Sequence, residues 1–373
     1  MGKLRYIGFY SDEKENRNYT LSAKKKIDYI AESIAKEVEI VSPSWTYDKH
    51  WYKSRRIVKS EQISIVLAPT LSWGNKINKI ISIIFSYIWL FFYLILNVKK
   101  NENIIVYHSL WLLIPIYIVK KIKNFNLILE VEEVYSDVSE NKYISQKMEK
   151  KLFDIADKYI FSTELLNEKI NKKNKPYAII YGTYKVEQKI TRKFNDGKIH
   201  LVYAGTLDSR KGGAQLAVSS GKYLNENFHI HILGFGTDSE KEEINKLIQK
   251  ISKDTSCKIT YEGVLSGMDY IKFIQKCHIG LSTQISIGKY NDTSFPSKIL
   301  SYLSNGLRVL SIKIKVLEIA RINKLLYFYN HSSSKDIAKE ILKMNLNNKY
   351  NSRLEIRKLD KEFKEKIEVL LKI

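Results

Sequence analysis

In the second half of the sequence the run YAGTLDSRKGG, Tyr203 to Gly213, ends a β-type stretch at Gly205 and Thr206, and Arg210 and Lys211 follow within a turn. A glycine at a strand end lets a ligand approach the backbone. Two cations beside free amides suit an anion with two adjacent charged groups, a diphosphate, although taken alone the loop reads first as a solvated turn. Further along, SFPSKILSYLSNG, Ser294 to Gly306, reads as a helix opening. Pro296 suits the first helical position, Phe295, Ile299 and Leu303 recur at four-residue spacing, and Gly306 suits the exit. Lys298 would then stand in the first turn beside Ser297, at the positive end of the dipole, where a lysine is disfavoured. An anion between them removes the conflict, so Lys211 and Lys298 are expected to clamp one diphosphate. Between these segments ILGFG sets Gly234 and Gly236 at another strand end, a G-x-G without the third glycine of the dinucleotide fingerprint.

The first half offers a different set. His108 closes the run IIVYHS, and EVEEVYSD ends the next β-type run with Glu130, Glu132 and Glu133. Period-two geometry sends Glu130 and Glu132 to one face and Glu133 to the other. Carboxylates at a strand end can bind hydroxyls or act as a general base, with solvation the competing role for at least one of them. His108 suits a structural or a functional role equally. Asn18 and Tyr19 follow the first strand in a long loop where a ligand could be met.

These residues need a scaffold. Short β-rich runs alternate with helical patterns along both halves, which predicts an α/β fold of two doubly wound Rossmann-like domains whose ligand loops face a central cleft. The predicted strands in the first half are LRYIGFY, EVEIVSP, SIVLAP, NIIVYHS, NLILEVEE, KYIFST and YAIIYGT. Those in the second half are IHLVYAGT, FHIHILGFG, CKITYEGV, HIGLSTQ and LRVLSI. Helices are expected over Ala23 to Lys36 and Ser145 to Ile155. Apolar periodicity lapses in YKVEQKITRKFNDGK, so the domains are expected at 1–190 and 191–340, with a helical tail over 341–373 crossing back to the first.

A chain of 373 residues with 44% apolar residues can bury two cores, and excludes a largely disordered protein. Cys257 and Cys277 can form neither a disulfide framework nor a metal cage, which points to buried thiols and a reducing compartment. A net charge of +22 calls for an anionic partner or surface. The cations are scattered lysines without a nucleic-acid-binding signature, so nucleic acid is not the expected partner. The opening MGKLRYIGFYSDEK reaches charge before forming an apolar core, so no cleavable signal is expected there. Ile80 to Val98, IISIIFSYIWLFFYLILNV, is almost continuously apolar and flanked by Lys76, Lys79, Lys99 and Lys100. It is long enough to span a bilayer, but a span would strand the first predicted strand on the other side. The favoured reading is a helix with one side on the sheet and the other at a membrane surface.

Taken in order, AGTL…KGG, LGFG, YEGVL, CHIGLS and FPSKILSYLSNGLRVL resemble the nucleotide-binding domain of GT-B glycosyltransferases, especially family 4-like enzymes of bacterial surface-polysaccharide synthesis. The likeness is most specific from His200 to Ile312 and looser in the first half, where ENIIVYHSLWLLIPIYIVKKIKNFNLILEVEEVY resembles the acceptor domain. It implies transfer of a hexose-like sugar from a nucleotide-diphosphate donor to a glycan or polyprenyl-linked acceptor, with retention. The expected location is the cytoplasm, at the inner face of the membrane. It implies a donor set of Gly205, Thr206, Arg210, Lys211, Gly234, Gly236, Glu262, Thr293, Ser294, Phe295, Pro296, Ser297, Lys298 and Ser301, and a catalytic set of His108, Glu132, Lys211 and Lys298. The nucleotide sugar is a co-substrate, with no separate cofactor. No Asp-x-Asp suited to a donor metal is present, so no metal is expected. Two departures stand out: the two glutamates common in the family, eight residues apart, fall on Thr293 and Ser301 here, and the arginine after the strand glycine falls on Thr206. A serine can bond a ribose hydroxyl but cannot accept two bonds as a carboxylate does. A non-catalytic GT-B partner subunit and a nucleotide-sugar epimerase remain alternatives, and a nucleic-acid-binding protein would account for the charge alone.

Overall fold

The computed structural model describes residues 3–135, 142–285 and 293–372. The chain divides into two compact units, Met1–Thr183 with Lys361–Ile373, and Tyr184–Asp360.

The first unit is built on an eight-stranded sheet of β1 (Leu4–Ile7), β2 (Val38–Ser42), β3 (Arg55–Val58), β4 (Ile63–Leu67), β5 (Asn103–Tyr107), β6 (Asn126–Val131), β7 (Lys158–Phe161) and β8 (Tyr177–Ile179), in the order β3-β4-β2-β1-β5-β6-β7-β8. Every pairing is parallel except β3 with β4. The central strands are apolar runs buried along their length, as parallel strands covered on both faces must be. The helices are α1 (Leu21–Glu32), α2 (Lys76–Asn97), α3 (Leu113–Lys123), α4 (Lys142–Ile155) and α5 (Glu164–Ile170). Thr20 caps α1 by accepting from Ala23 N, and Asn75 caps α2 by accepting from Asn78 N. α3 stops at Asn124, in the left-handed conformation that such a residue tolerates. The core joins Val106, Leu127, Leu129 and Phe161 of the strands with Leu90 and Leu94 of α2 and Ile116 of α3.

The second unit has a six-stranded, all-parallel sheet: β9 (Ile199–Thr206), β10 (Phe228–Phe235), β11 (Lys258–Gly263), β12 (Ile279–Ser282), β13 (Arg308–Ile312) and β14 (Leu326–Tyr329), in the order β11-β10-β9-β12-β13-β14. Strand order reverses between β9 and β12, the switch point beside which doubly wound sheets bind ligands. The helices are α6 (Gly213–Ser220), α7 (Asp238–Ser252), α8 (Gly267–Lys276), α9 (Lys298–Ser304), α10 (Lys315–Ile319), α11 (Ser334–Lys343) and α12 (Ser352–Lys372). Thr237 and Glu240 form a reciprocal capping box at the start of α7. α12 begins in this unit, and from Lys361 onward it belongs to the first, where Phe363 stacks on Tyr29 and Lys158 Nζ donates to Leu370 O at 2.9 Å.

Two strands were not anticipated. β3, with two arginines in four residues, has no apolar alternation strong enough to announce it and pairs antiparallel at the sheet edge. β14 is only four residues long and follows directly on a 3-10 turn. The helix expected over Ala23 to Lys36 ends at Glu32, where the Ser33 N–H turns back onto the last carbonyls.

Candidate functional site

The lysine of the second unit sits against the end of β9. Lys298 Nζ lies 4.0 Å from the centre of the Tyr203 ring, and a β-carbon on Gly205 would stand 3.0 Å from that nitrogen. Glycine is what lets the ammonium reach the strand end. The Lys298 pKa is pulled down to about 7, first by burial and then by the neighbouring Lys211 ammonium. Among the described residues no carboxylate pairs with it. Lys211 itself lies within reach of the Asp208 charge, so it is the buried Lys298 ammonium, without a carboxylate partner among the described residues, that favours an anion beside it.

The loop carrying Lys211 is shaped by close backbone approach. Gly212 has φ +61°, and a β-carbon there would stand 2.4 Å from Ile285 Cδ1. The Lys211 carbonyl accepts from Ile285 N at 3.1 Å, which ties this loop to the segment after β12, across the switch point. Gly234 serves a similar purpose at the end of β10, since a β-carbon there would stand 2.2 Å from Gly205 O. Gly236 packs against Glu240 of α7, and Thr206 is half-buried at the end of β9.

Other expected donor residues are placed less directly. Arg210 is exposed and turned onto Asp208, with Nη2 2.8 Å from Oδ2 and Nε 3.0 Å from Oδ1. Its guanidinium is therefore already paired. Glu262 is a correction: its carboxylate accepts from Thr260 and contacts His231 Nδ1 at 2.8 Å, within a group of histidines. Ser301 Oγ is 3.0 Å from Tyr270 OH, so the serine standing where a glutamate is common already has a phenol partner. Pro296 is half-buried and precedes the helix proper; Ser297, its N-cap, is exposed and makes no capping bond. Thr293 is buried, Phe295 is half-buried, and Ser294 Oγ is buried without a hydrogen-bond partner. Of the preceding SIGKYNDT, residues 286–292 lie outside the described residues.

In the first unit the expected catalytic histidine is enclosed. His108 packs between the rings of Tyr135 and Phe153, and its Nε2 lies 3.3 Å from Glu149 Oε1. Burial pushes its pKa down to about 3, so the imidazole is neutral and stands inside the unit rather than at a surface. Glu130 and Glu132 do share a face, and both meet Lys26: Glu132 as its direct ion pair, Glu130 at 3.9 Å. Glu130 also accepts from Tyr6 OH and is fully buried, and burial raises its pKa well above the usual carboxylate range, with the Glu132 charge adding and Lys26 opposing. Glu133 is half-buried in the segment after β6. Asn18 Oδ1 accepts from Tyr47 OH at 2.7 Å, and Tyr19 is half-buried beside it.

The sequence did not reveal an aromatic cluster at the same edge of this unit. Trp45 stacks parallel to Trp73 and meets Trp111 edge-on, with Phe9 and Tyr47 completing the group and Lys79 over the Trp73 ring. These tryptophans are scattered along the chain; only the sheet gathers them.

No protein-family model matches the sequence, and no curated protein matches it. Solved structures do match. An E. coli structure described as trehalose-6-phosphate bound with UDP-2-fluoro glucose has a TM-score of 0.68 at 10% identity, covering 100% of this chain and 99% of that one. An α,α-trehalose 6-phosphate synthase from Burkholderia multivorans has a TM-score of 0.65 at 10% identity, covering 99% and 98%. Anabaena HepE in complex with UDP has a TM-score of 0.63 at 8% identity, covering 100% of both. The likeness establishes the fold: this chain has the GT-B fold, with two Rossmann-like parallel-sheet units.

Proposed function

We propose that the protein is a glycosyltransferase that takes a sugar from a UDP-sugar and delivers it to a glycan or polyprenyl-linked acceptor in surface-polysaccharide synthesis, with retention at the anomeric carbon. The observation that carries this reading is Lys298 beside Gly205 and near Lys211, a buried cation with no carboxylate partner among the described residues, at the switch point of the second sheet. UDP as the nucleotide is supported by the similar folds bound with UDP or UDP-2-fluoro glucose. When the glycosidic bond to the diphosphate breaks, negative charge grows on the β-phosphate. Lys298, half-buried, and Lys211, exposed, stabilise that charge. The stabilisation asks nothing of His108.

The acceptor side of the reading draws on the first unit. Helix α2 is long and apolar enough to cross a membrane, yet Ser82, Ser86, Leu90 and Leu94 face inward and Ser82 Oγ donates to Leu71 O and Ser72 O. The opposite face leaves Ile80, Ile84, Ile88 and Phe92 exposed at four-residue spacing, and the adjacent α3 adds Ile114 and Ile118. Lysines bracket both helices: Lys76, Lys79, Lys99 and Lys100 around α2, and Lys120, Lys121 and Lys123 at the end of α3. An apolar face ringed with lysine fits an anionic bilayer, in the plane of which this face would lie. A polyprenyl-linked acceptor would be met there.

The test is a thermal-shift screen of the full chain against UDP-, GDP- and dTDP-sugars, followed by product analysis with the best binder. A selective shift with a UDP-sugar and transfer to a lipid-linked glycan are expected. Binding without transfer would instead indicate a non-catalytic partner subunit, and an isomeric nucleotide sugar as product would indicate an epimerase.

A further inference from the structure

Four of the seven histidines meet at the N-terminal half of the second sheet, away from the diphosphate loops. His200 on β9 is the register partner of His229 on β10, and His231 is the register partner of Thr260 on β11. His200, His229 and His231 are buried, and one ring nitrogen of each lies within 4.8 Å of the others. His278 stands beside them, its Nδ1 accepting from His200 N at 3.0 Å.

The outer nitrogens are all engaged. His200 Nε2 is 2.8 Å from Asp196 Oδ1, and His231 Nδ1 is 2.8 Å from Glu262 Oε1. Carboxylates only accept, so both of these nitrogens carry the hydrogen. The Thr260 hydroxyl donates to Glu262, so toward His229 Nε2, at 2.9 Å, it accepts. His229 is thereby fixed in the Nε2–H form with Nδ1 bare.

The inner nitrogens are then left with lone pairs. His200 Nδ1 and His231 Nε2 face each other at 2.8 Å, which two neutral rings with these tautomers cannot sustain. A cation must lie between them, either an extra proton or a metal ion. We infer that His200 Nδ1, His229 Nδ1 and His231 Nε2 form a three-histidine site for a divalent transition metal, with zinc the best fit. Asp196, Glu262 and Thr260 orient the rings from behind, the arrangement that metal-binding imidazoles favour. Zinc–nitrogen bonds of about 2.0–2.1 Å in a tetrahedral site place the ligand nitrogens about 3.4 Å apart. His200 Nδ1 and His231 Nε2 stand 2.8 Å apart, and one ring nitrogen of each histidine lies within 4.8 Å of the others, so small side-chain shifts complete the site. A divalent ion also balances the two carboxylates.

His200 lies five residues before Gly205 on the same strand, about 16 Å at the rise of a parallel strand. The metal is therefore structural: it ties β9 to β10 at the base of the sheet and takes no part in sugar transfer.

The experiment uses the untagged full chain, stripped with a chelator and titrated with Zn²⁺ and, separately, Co²⁺. One ion per chain is expected, with a rise in melting temperature and Co²⁺ absorption that lacks a thiolate charge-transfer band. His231→Gln should abolish stoichiometric uptake, Asp196→Asn should weaken it by about 10- to 100-fold, and the control His331→Gln should leave it intact. Should His231→Gln fail to fold, X-ray absorption at the zinc edge of the wild-type chain reads the ligands directly, with three imidazole nitrogens at about 2.0–2.1 Å expected. The inference is overturned by no stoichiometric uptake, by uptake that survives His231→Gln, by a thiolate band implicating Cys257 or Cys277, or by fewer than three imidazoles at the zinc edge.

Discussion

Replacing Lys298 with methionine keeps the aliphatic stem and removes the charge, and it should make the unliganded protein more stable while weakening its grip on the donor. The lysine pKa is lowered to about 7 from the usual 10.5, by burial first and by Lys211 second. The unfolded chain therefore holds a proton that the folded chain releases between those values. Wild-type stability rises with pH across that window and is lowest below pH 7, where the folded protein must keep the ammonium charged beside Lys211. Converted directly, the cost at pH 7 is about 4 kcal/mol at most, and about 2 kcal/mol once water reaching the half-buried side chain is allowed for. For a unit of this size about 2 kcal/mol corresponds to a melting temperature about 4–8 °C higher in Lys298→Met at pH 7, with the gain shrinking toward pH 10. A bound diphosphate restores the charged state. Affinity for UDP-glucose, whose diphosphate diester keeps a constant charge, should then weaken by about tenfold between pH 6 and pH 8 as the free lysine deprotonates. Lys298→Met should bind weakly with no such slope. Calorimetric titration at three pH values, with melting curves beside it, measures both effects. A variant that binds as tightly as wild type, or that melts lower with the wild-type pH slope retained, would refute the diphosphate clamp.

Gly212→Ala introduces a β-carbon at φ +61° and 2.4 Å from Ile285 Cδ1; it should cost about 1–3 kcal/mol in urea unfolding and weaken UDP-sugar binding by displacing the Lys211 loop. The double variant Ile84→Asp/Ile88→Asp places two charges on the exposed face of α2; it should lose sedimentation with anionic lipid vesicles while keeping its melting temperature, and unchanged vesicle binding would remove the membrane from the proposal. Glu130→Gln tests a carboxyl raised by burial, whose stabilising neutral form is present at low pH and is lost as pH rises through its folded pKa. The variant should match wild type near pH 5 and exceed it near pH 9 in urea midpoint.

Twelve of the strands could be read from the sequence because continuous apolar runs bounded by turn residues report burial on both faces, as in NIIVYHS around Ile104 to Val106 and at Leu201 to Tyr203. The missed β3 and β14 are strands by virtue of their neighbours: Arg55 to Val58 is a strand because Ile63 to Leu67 offers it an edge, and nothing in RRIV says so. The same limit applies to the sites. Lys298 was legible because its conflict is local, a cation at a helix start. His108 also looked functional from its place at a strand end, but the rings that enclose it come from Tyr135 and Phe153, on later segments.

The histidine group shows where local reading fails and why. The H-x-H of FHIHI does put two rings on one face of a strand, but a ligand set appears only when the β9–β10 register sets His200 opposite His229. Parallel register is fixed by crossover helices and packing rather than by residues adjacent in sequence. Glu262 was assigned to the donor for a related reason. It closes a strand whose ligand loops belong to the switch point, but the register shift after Ile232 pairs Leu233 with Gly263 and leaves Glu262 as the extra residue. Period-two alternation puts its carboxylate on the side of Thr260, the register partner of His231. The β10–β11 register thus places an acid from the expected donor set at the back of the metal site, and replacing Glu262 should disturb metal uptake before it disturbs nucleotide binding.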